Sequence, residues 1–318
     1  MGKVSKTFWI LDLGSWVVRL LKVQSLYGQL IDWESFDYIH QASVKNTLNF
    51  QQNYLKQLPG ALDKILERSS ISGPIHVLLP SSMFNYEFDL KHKNKLKVNL
   101  NESIRHEVNS LLAKKNLEAA FLGSGICAQI EYLRNKALNH NDKYCLVSIN
   151  YSSSYYAEIE SGNLNNFWQD TSINGMQLDT MMLNNANCSD STQAILDWKK
   201  EEFALLPVYR PLQERLSEFQ IIKEFLSILN MQLNQWENSI DQNTVYLSGG
   251  VTQLRNLDAY LEGTRTNQYE SFCTSFFEEW LENTTLGSDN QNGWASCFAH
   301  AALILQREKK NVESGKQT

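Results

Sequence analysis

The chain has 318 residues, 42% of them hydrophobic and 20% charged, with a formal net charge of -6. This is ordinary globular composition with enough length for two domains, and an acidic chain without a basic, aromatic-interleaved stripe is a poor partner for nucleic acid. No apolar run approaches the roughly 20 residues that span a bilayer, and Met1 to Lys6 lacks the apolar core of a signal peptide, so a cytoplasmic protein is expected.

Three strands are expected first, over Thr7–Asp12, Val17–Gln24 and Gly28–Tyr38. The first delivers Asp12-Leu13-Gly14-Ser15 into a tight turn. A glycine lets backbone approach an anion, a hydroxyl and successive N–H groups can hold phosphate oxygens, and a strand-end aspartate can position a hydrated Mg²⁺. The same residues also suit an ordinary hairpin. Tyr54, Leu58, Leu62, Ile65 and Leu66 at helical spacing predict a helix over Phe50–Arg68, ended by Ser69–Pro74. Ile75–Leu79 reads as a buried strand stopping before Pro80. Lys91, His92, Lys93, Lys95 and Lys97 form the one dense basic run, read as a solvated loop or, alternatively, as a contact for an anionic membrane surface, before a helix that starts at Asn101 and runs to about Lys114.

The second half repeats the opening theme. Tyr144–Ile149 and Tyr155–Glu160 flank the polar turn Asn150–Ser154, where Ser152 and Ser153 offer hydroxyls. A long amphipathic helix carries Leu212, Leu216, Phe219, Phe225, Leu226, Leu229, Leu233 and Trp236 mostly on one face. Thr244–Leu247 then runs into Ser248-Gly249-Gly250, a strand-to-helix turn able to hold a nucleoside against backbone or to serve as a structural turn. A small-residue helix over Trp294–Leu305 follows. The alternation argues for an α/β protein with mixed or parallel sheets. Cys127, Cys145, Cys188, Cys273 and Cys297 are scattered and read as reduced core thiols, with neither zinc nor a disulfide framework indicated.

These motifs, in this order, resemble the actin-like ATPase superfamily, and within it the PilM-like family of type IV pilus assembly, including its counterparts in mannose-sensitive haemagglutinin (MSHA) pilus biogenesis. The resemblance rests on Ile10–Ser15, with Arg19 where the family usually has lysine, on Ile75–Pro80, on the Ile104-Arg105-x-Glu107 core of Asn101–Leu112, on Leu117–Ala120 as the end of a later helix, on Ser172–Leu178 and on Leu247–Val251. It implies a two-lobed, duplicated ribonuclease H-like fold. The first lobe would span 1–139 with a small insertion at about 86–116, the second 140–293, a returning helix 294–309 and a disordered tail 310–318. It implies ATP and Mg²⁺ as ligands, with Asp12, Gly14, Ser15, Ser152, Ser153, Lys199, Gly249 and Gly250 as nucleotide contacts and Asp12 on the metal.

The departures are specific. Ser148 stands where the family has the aspartate of its second hairpin, Trp16 crowds the first turn, and only Ala113–Asn116 remain where the family carries a longer segment of the inserted subdomain. The resemblance therefore implies a cytoplasmic scaffold, peripheral to the bacterial inner membrane, with weak or absent ATP hydrolysis and no catalytic residue. Its partner would be a PilN-like bitopic inner-membrane protein, with a pilus motor ATPase as a second one. Ile104, Val108 and Leu111 either line the partner groove or form the buried face of one helix. An active ATPase or phosphotransferase of the same superfamily, and a GspL-like platform of type II secretion, are the alternatives.

Overall fold

The computed structural model describes residues 5–39, 50–89, 95–140, 142–184, 205, 210, 213–237, 244–254, 256–263, 267–281 and 292–314. The chain divides into two compact units, one of 1–135 together with 296–318, the other of 136–295.

The first unit begins with β1 (Lys6–Leu13), β2 (Val17–Leu26) and β3 (Gln29–Ile39), followed by helix α1 (Phe50–Leu66) and β4 (Ile75–Leu79). A small insertion follows, made of β5 (Phe84–Phe88), β6 (Leu96–Leu100) and α2 (Glu102–Ala113), and then β7 (Ala119–Ser124). β1, β2 and β3 form an antiparallel meander, while β4 and β7 add in parallel to give the order β3-β2-β1-β4-β7. β1 is central, and its run Phe8-Trp9-Ile10-Leu11 is buried on both faces, as a strand covered from two sides must be. Tyr54, Leu58, Leu62 and Ile65 of α1 close one face against Leu11, Leu13, Leu20, Val77 and Leu79. The insertion shares this core through Phe84, Leu100, Ile104, Val108 and Leu112.

Helix α3 (Gly125–His140) carries the chain into the second unit. There β8 (Lys143–Ile149), β9 (Ser154–Glu160) and β10 (Asn163–Asp170) form a second meander, followed by α4 (Gly175–Leu183), α5 (Leu216–Glu237), β11 (Thr244–Ser248), α6 (Leu257–Glu262), β12 (Gln268–Ser271) and α7 (Phe272–Leu281). β11 pairs in parallel with both β8 and β12, so the order β10-β9-β8-β11-β12 repeats that of the first sheet. On α5 the buried face is Ile222, Phe225, Leu226, Leu229, Leu233 and Trp236. Leu216, placed on that stripe from the sequence, is exposed, and Leu212 lies outside the described residues.

The last helix, α8 (Ala295–Glu313), belongs to the first unit from Ser296 onward. Phe298 meets Trp33 of β3 edge to face at 5.5 Å, and His300 Nε2 lies 3.0 Å from His76 Nδ1 of β4. Gly28, at φ +76 in the β2–β3 turn, lets that turn touch the helix, since a Cβ there would fall 2.5 Å from Lys309 N.

Two expectations need correcting, and at α2 one of two alternatives fits the packing. Leu117–Ala120 does not end a helix: α2 stops at Ala113, Asn116 adopts a left-handed φ of +57, and Ala119 opens β7 in parallel register with β4. α8 runs to Glu313, four residues into the expected disordered tail, because its later turns are held by Ser25 Oγ donating to Glu308 at 2.8 Å. Ile104 and Val108 are 5% and 0% exposed, with Leu111 half-buried beside them, so this stripe is the core face of α2 rather than a groove lining.

Candidate functional site

The first hairpin is set by the β1–β2 register, which pairs Asp12 across the ladder with Arg19 and Leu13 with Val18. Directly opposed antiparallel residues hold their Cβ atoms about 5 Å apart, so the two charges meet without any tertiary requirement. Arg19 Nη1 lies 3.5 Å from Asp12 Oδ2, with both side chains largely covered. Burial pushes the Asp12 carboxyl from its usual 3.8 to about 6, although the Arg19 guanidinium pulls the other way. The Tyr54 hydroxyl donates to the Leu13 carbonyl, and burial first and Asp12 second hold its pKa well above the usual tyrosine value.

Gly14 is demanded by the turn itself. A Cβ at Gly14 would stand 2.4 Å from the Val17 carbonyl oxygen and 3.7 Å from Arg19 Nη1, so the guanidinium also lies over the glycine. Ser15 is buried and Trp16 half-buried.

The second hairpin, between β8 and β9, closes on its own polar groups. Asn150 Nδ2 donates to Ser148 Oγ at 3.0 Å, and Asn150 N donates to the Ser153 carbonyl at 3.1 Å. Ser153 Oγ donates to Tyr155 Oη at 2.7 Å, and Ser154 Oγ donates to the Ile173 carbonyl. A helix N-terminus abuts this turn, but its donors are engaged. Gly175 N reaches the Asn150 carbonyl at 3.0 Å, Met176 N reaches the Tyr151 carbonyl at 2.8 Å, and Gln177 N is capped by Asn174 Oδ1 at 2.8 Å. Tyr151 Oη donates to the buried Asp179 carboxylate on α4 at 3.0 Å, a pairing that sequence reasoning missed because its two residues are far apart in the chain.

The glycine turn after β11 packs against this hairpin within the second unit. At Gly249 φ is +96, and a Cβ would meet the Ile149 carbonyl oxygen at 2.4 Å and Asn150 Oδ1 at 2.9 Å. Gly250 has an ordinary φ of −67 and open space beside it. Ser152 and Gly249 thus sit on adjoining turns of one unit, while Asp12, Gly14 and Ser15 share the hairpin of the other. Lys199 and residues 91–94 of the basic run lie outside the described residues.

A divalent cation does not suit these donors. Magnesium is held by one or two free carboxylates together with substrate oxygens and water. Here Asp12 already carries a guanidinium and the second hairpin offers a hydroxyl bonded to Asn150. Among the described residues no three His, Cys, Asp or Glu side chains are gathered to hold a metal, and no helix is long and apolar enough to cross a membrane.

No protein-family model matches the chain, and no curated protein matches it by sequence. Solved structures do match its fold over nearly the whole length. A PilM–PilN type IV pilus biogenesis complex aligns with a TM-score of 0.60 at 11% identity, covering 97% of this chain and 99% of the other. MreB5 of Spiroplasma citri bound to AMPPNP gives 0.57 at 12% identity, covering 98% and 99%. The ethanolamine utilization protein EutJ from Carboxydothermus hydrogenoformans gives 0.57 at 12%, covering 95% and 90%. With two sheets of the same strand order and these matches, the chain has the actin-like ATPase fold.

Proposed function

We propose that the protein is an actin-like scaffold of a type IV pilus assembly machine, of MSHA-like type, which holds a cytoplasmic segment of a PilN-like bitopic inner-membrane protein and hydrolyses ATP weakly or not at all. The observation that carries this reading is the closed second hairpin. Where metal-assisted phosphoryl transfer needs a free carboxylate to organise ion and water, Ser148 is fully buried and accepts from Asn150. Likeness in fold to a PilM–PilN complex supports the pilus role, and nucleotide-bound MreB5 supports retained nucleotide binding. Lys199 is proposed to contact the ribose or phosphate, and Gly250 the nucleoside.

The partner segment is proposed to bind the first unit. With Ile104 and Val108 in the core, the proposed seat is a concavity of about 430 Å³ between Ile71–Ile75 and Asn116–Ala120, where β7 forms the sheet edge among the described residues. An extended peptide can dock on such an edge through main-chain hydrogen bonds.

The test has two arms. Purified protein with Mg-ATP is expected to release phosphate far below the roughly 1–100 s⁻¹ of kinases; release at about 1 s⁻¹, lost in Asp12→Ala, overturns the non-hydrolysing reading. Titration with the synthetic cytoplasmic tail of the cell's own bitopic pilus protein is expected to show binding that Ala120→Trp, at an exposed position on the cavity wall, weakens without altering the circular dichroism spectrum. No binding by wild type removes the partner assignment.

A further inference from the structure

We propose that Arg19 takes the place of the divalent cation at the first hairpin, so that this turn receives a phosphate group free of metal. The proposal rests on the reading that the hairpin faces a nucleotide's phosphate chain.

The guanidinium lies against Asp12 and over Gly14 at once. Nη1 is 3.5 Å from Asp12 Oδ2 and 3.7 Å from where a Gly14 Cβ would be, so it covers the carboxylate and the glycine together. A hydrated dication approaching Asp12 would meet that positive charge first. The arrangement is also local, because Asp12 and Arg19 are cross-strand partners in a hairpin whose strands are buried on both sides. Swinging Arg19 away would leave the Asp12 carboxylate, with side-chain exposure of only 12%, without its cation. Leu13 cannot lend its carbonyl to a cation readily either, since Tyr54 donates to it. What remains suited to a ligand is cationic, and a guanidinium recognises phosphate oxygens through charge-assisted hydrogen bonds.

The experiment uses the full chain with two probes. In the first, Mn²⁺ alone is added to labelled protein and paramagnetic broadening of the Leu13–Arg19 amides is followed. At about pH 8, chosen to keep Asp12 ionised, wild type and Arg19→Lys, which keeps the positive charge, are expected to stay sharp at these amides, whereas Arg19→Met, confirmed folded by its circular dichroism, broadens because Asp12 is released. Broadening in wild type, or an Arg19→Met hairpin that stays sharp, overturns the proposal.

In the second, ATP affinity is measured with excess Mg²⁺ and with EDTA. The two values are expected to agree within about threefold, and Arg19→Met to weaken both by about tenfold, the factor that one lost charge-assisted contact carries. Affinity that improves about tenfold or more with Mg²⁺ overturns the proposal. No ATP binding under either condition overturns the phosphate half and the nucleotide reading with it, while the Mn²⁺ result then decides separately whether Arg19 excludes the cation.

Discussion

At Gly14 and Gly249 the glycine has a reason inside the chain, because in each case a Cβ would stand 2.4 Å from a main-chain carbonyl oxygen. Gly249→Ala adds a positive φ to that clash and is expected to destabilise the second unit by about 2 kcal/mol or more, measured by urea unfolding. Ser148→Asp would place a charge at a fully buried position facing Asn150. It is expected to cost about 3 kcal/mol of stability and to yield no phosphate release. Asp12 has a raised folded pKa of about 6, so its contribution to stability is complete below pH 3.8 and is lost as pH rises through about 6. In Arg19→Met the attraction that lowers this pKa disappears. The Asp12 carboxyl resonance should then titrate at higher pH than in wild type, and stability at pH 8 should fall by about 2 kcal/mol; an unchanged titration would show that the ion pair is not formed in solution.

The docking of α8 depends on ionisation. His300 is held down to about 3 by burial first, then by His76 and Arg307, and His76 is lowered chiefly by its own burial. Phe121 stacks on His300 at 4.7 Å, and Phe8 meets His76 edge to face at 6.2 Å, so the pair is enclosed by rings rather than by acids. Histidines kept neutral in the folded state give stability that is present above pH 6.5 and is lost as pH falls toward 3, since the unfolded chain takes up the protons first. Thermal midpoints measured from pH 7 to 4.5 should fall for wild type and fall less steeply for His300→Asn. The β2–β3 turn forms the other part of this joint, and Gly28→Ala, with its Cβ 2.5 Å from Lys309 N, should loosen α8 and raise hydrogen exchange over residues 300–312.

For the whole molecule, continuity of chain decides which part stands alone. The second unit is one segment, 136–295, and is expected to unfold cooperatively when expressed by itself; 1–135 without 296–313 exposes the sheet face that Phe298 and His300 cover, and should aggregate until a peptide carrying α8 is added. Much of this architecture was readable in advance. Period-two and continuous apolar runs marked β1, β2, β3, β4, β8, β9 and β11, and Asn101 marked the start of α2 through its own side chain, which accepts from Ser103 N at 2.9 Å. Such signals are local, and short-range sterics and hydrogen bonding write them into neighbouring residues. That β8 carries Ser148, a hydroxyl and not a carboxylate, next to its last residue was legible for the same reason, as one residue at one strand end. The remainder depended on residues distant in the chain. Whether Ile104 and Val108 faced a groove or a core depended on the cluster they join with α1 and the sheet, and whether Leu117–Ala120 was helix or strand depended on β4, which pairs with β7. The histidine pair joins residues 224 positions apart, and no periodicity records that distance. Burial and cross-sheet contact are properties of the folded chain, so core against surface at α2, and the neutral state of His300, were decided by packing rather than by pattern.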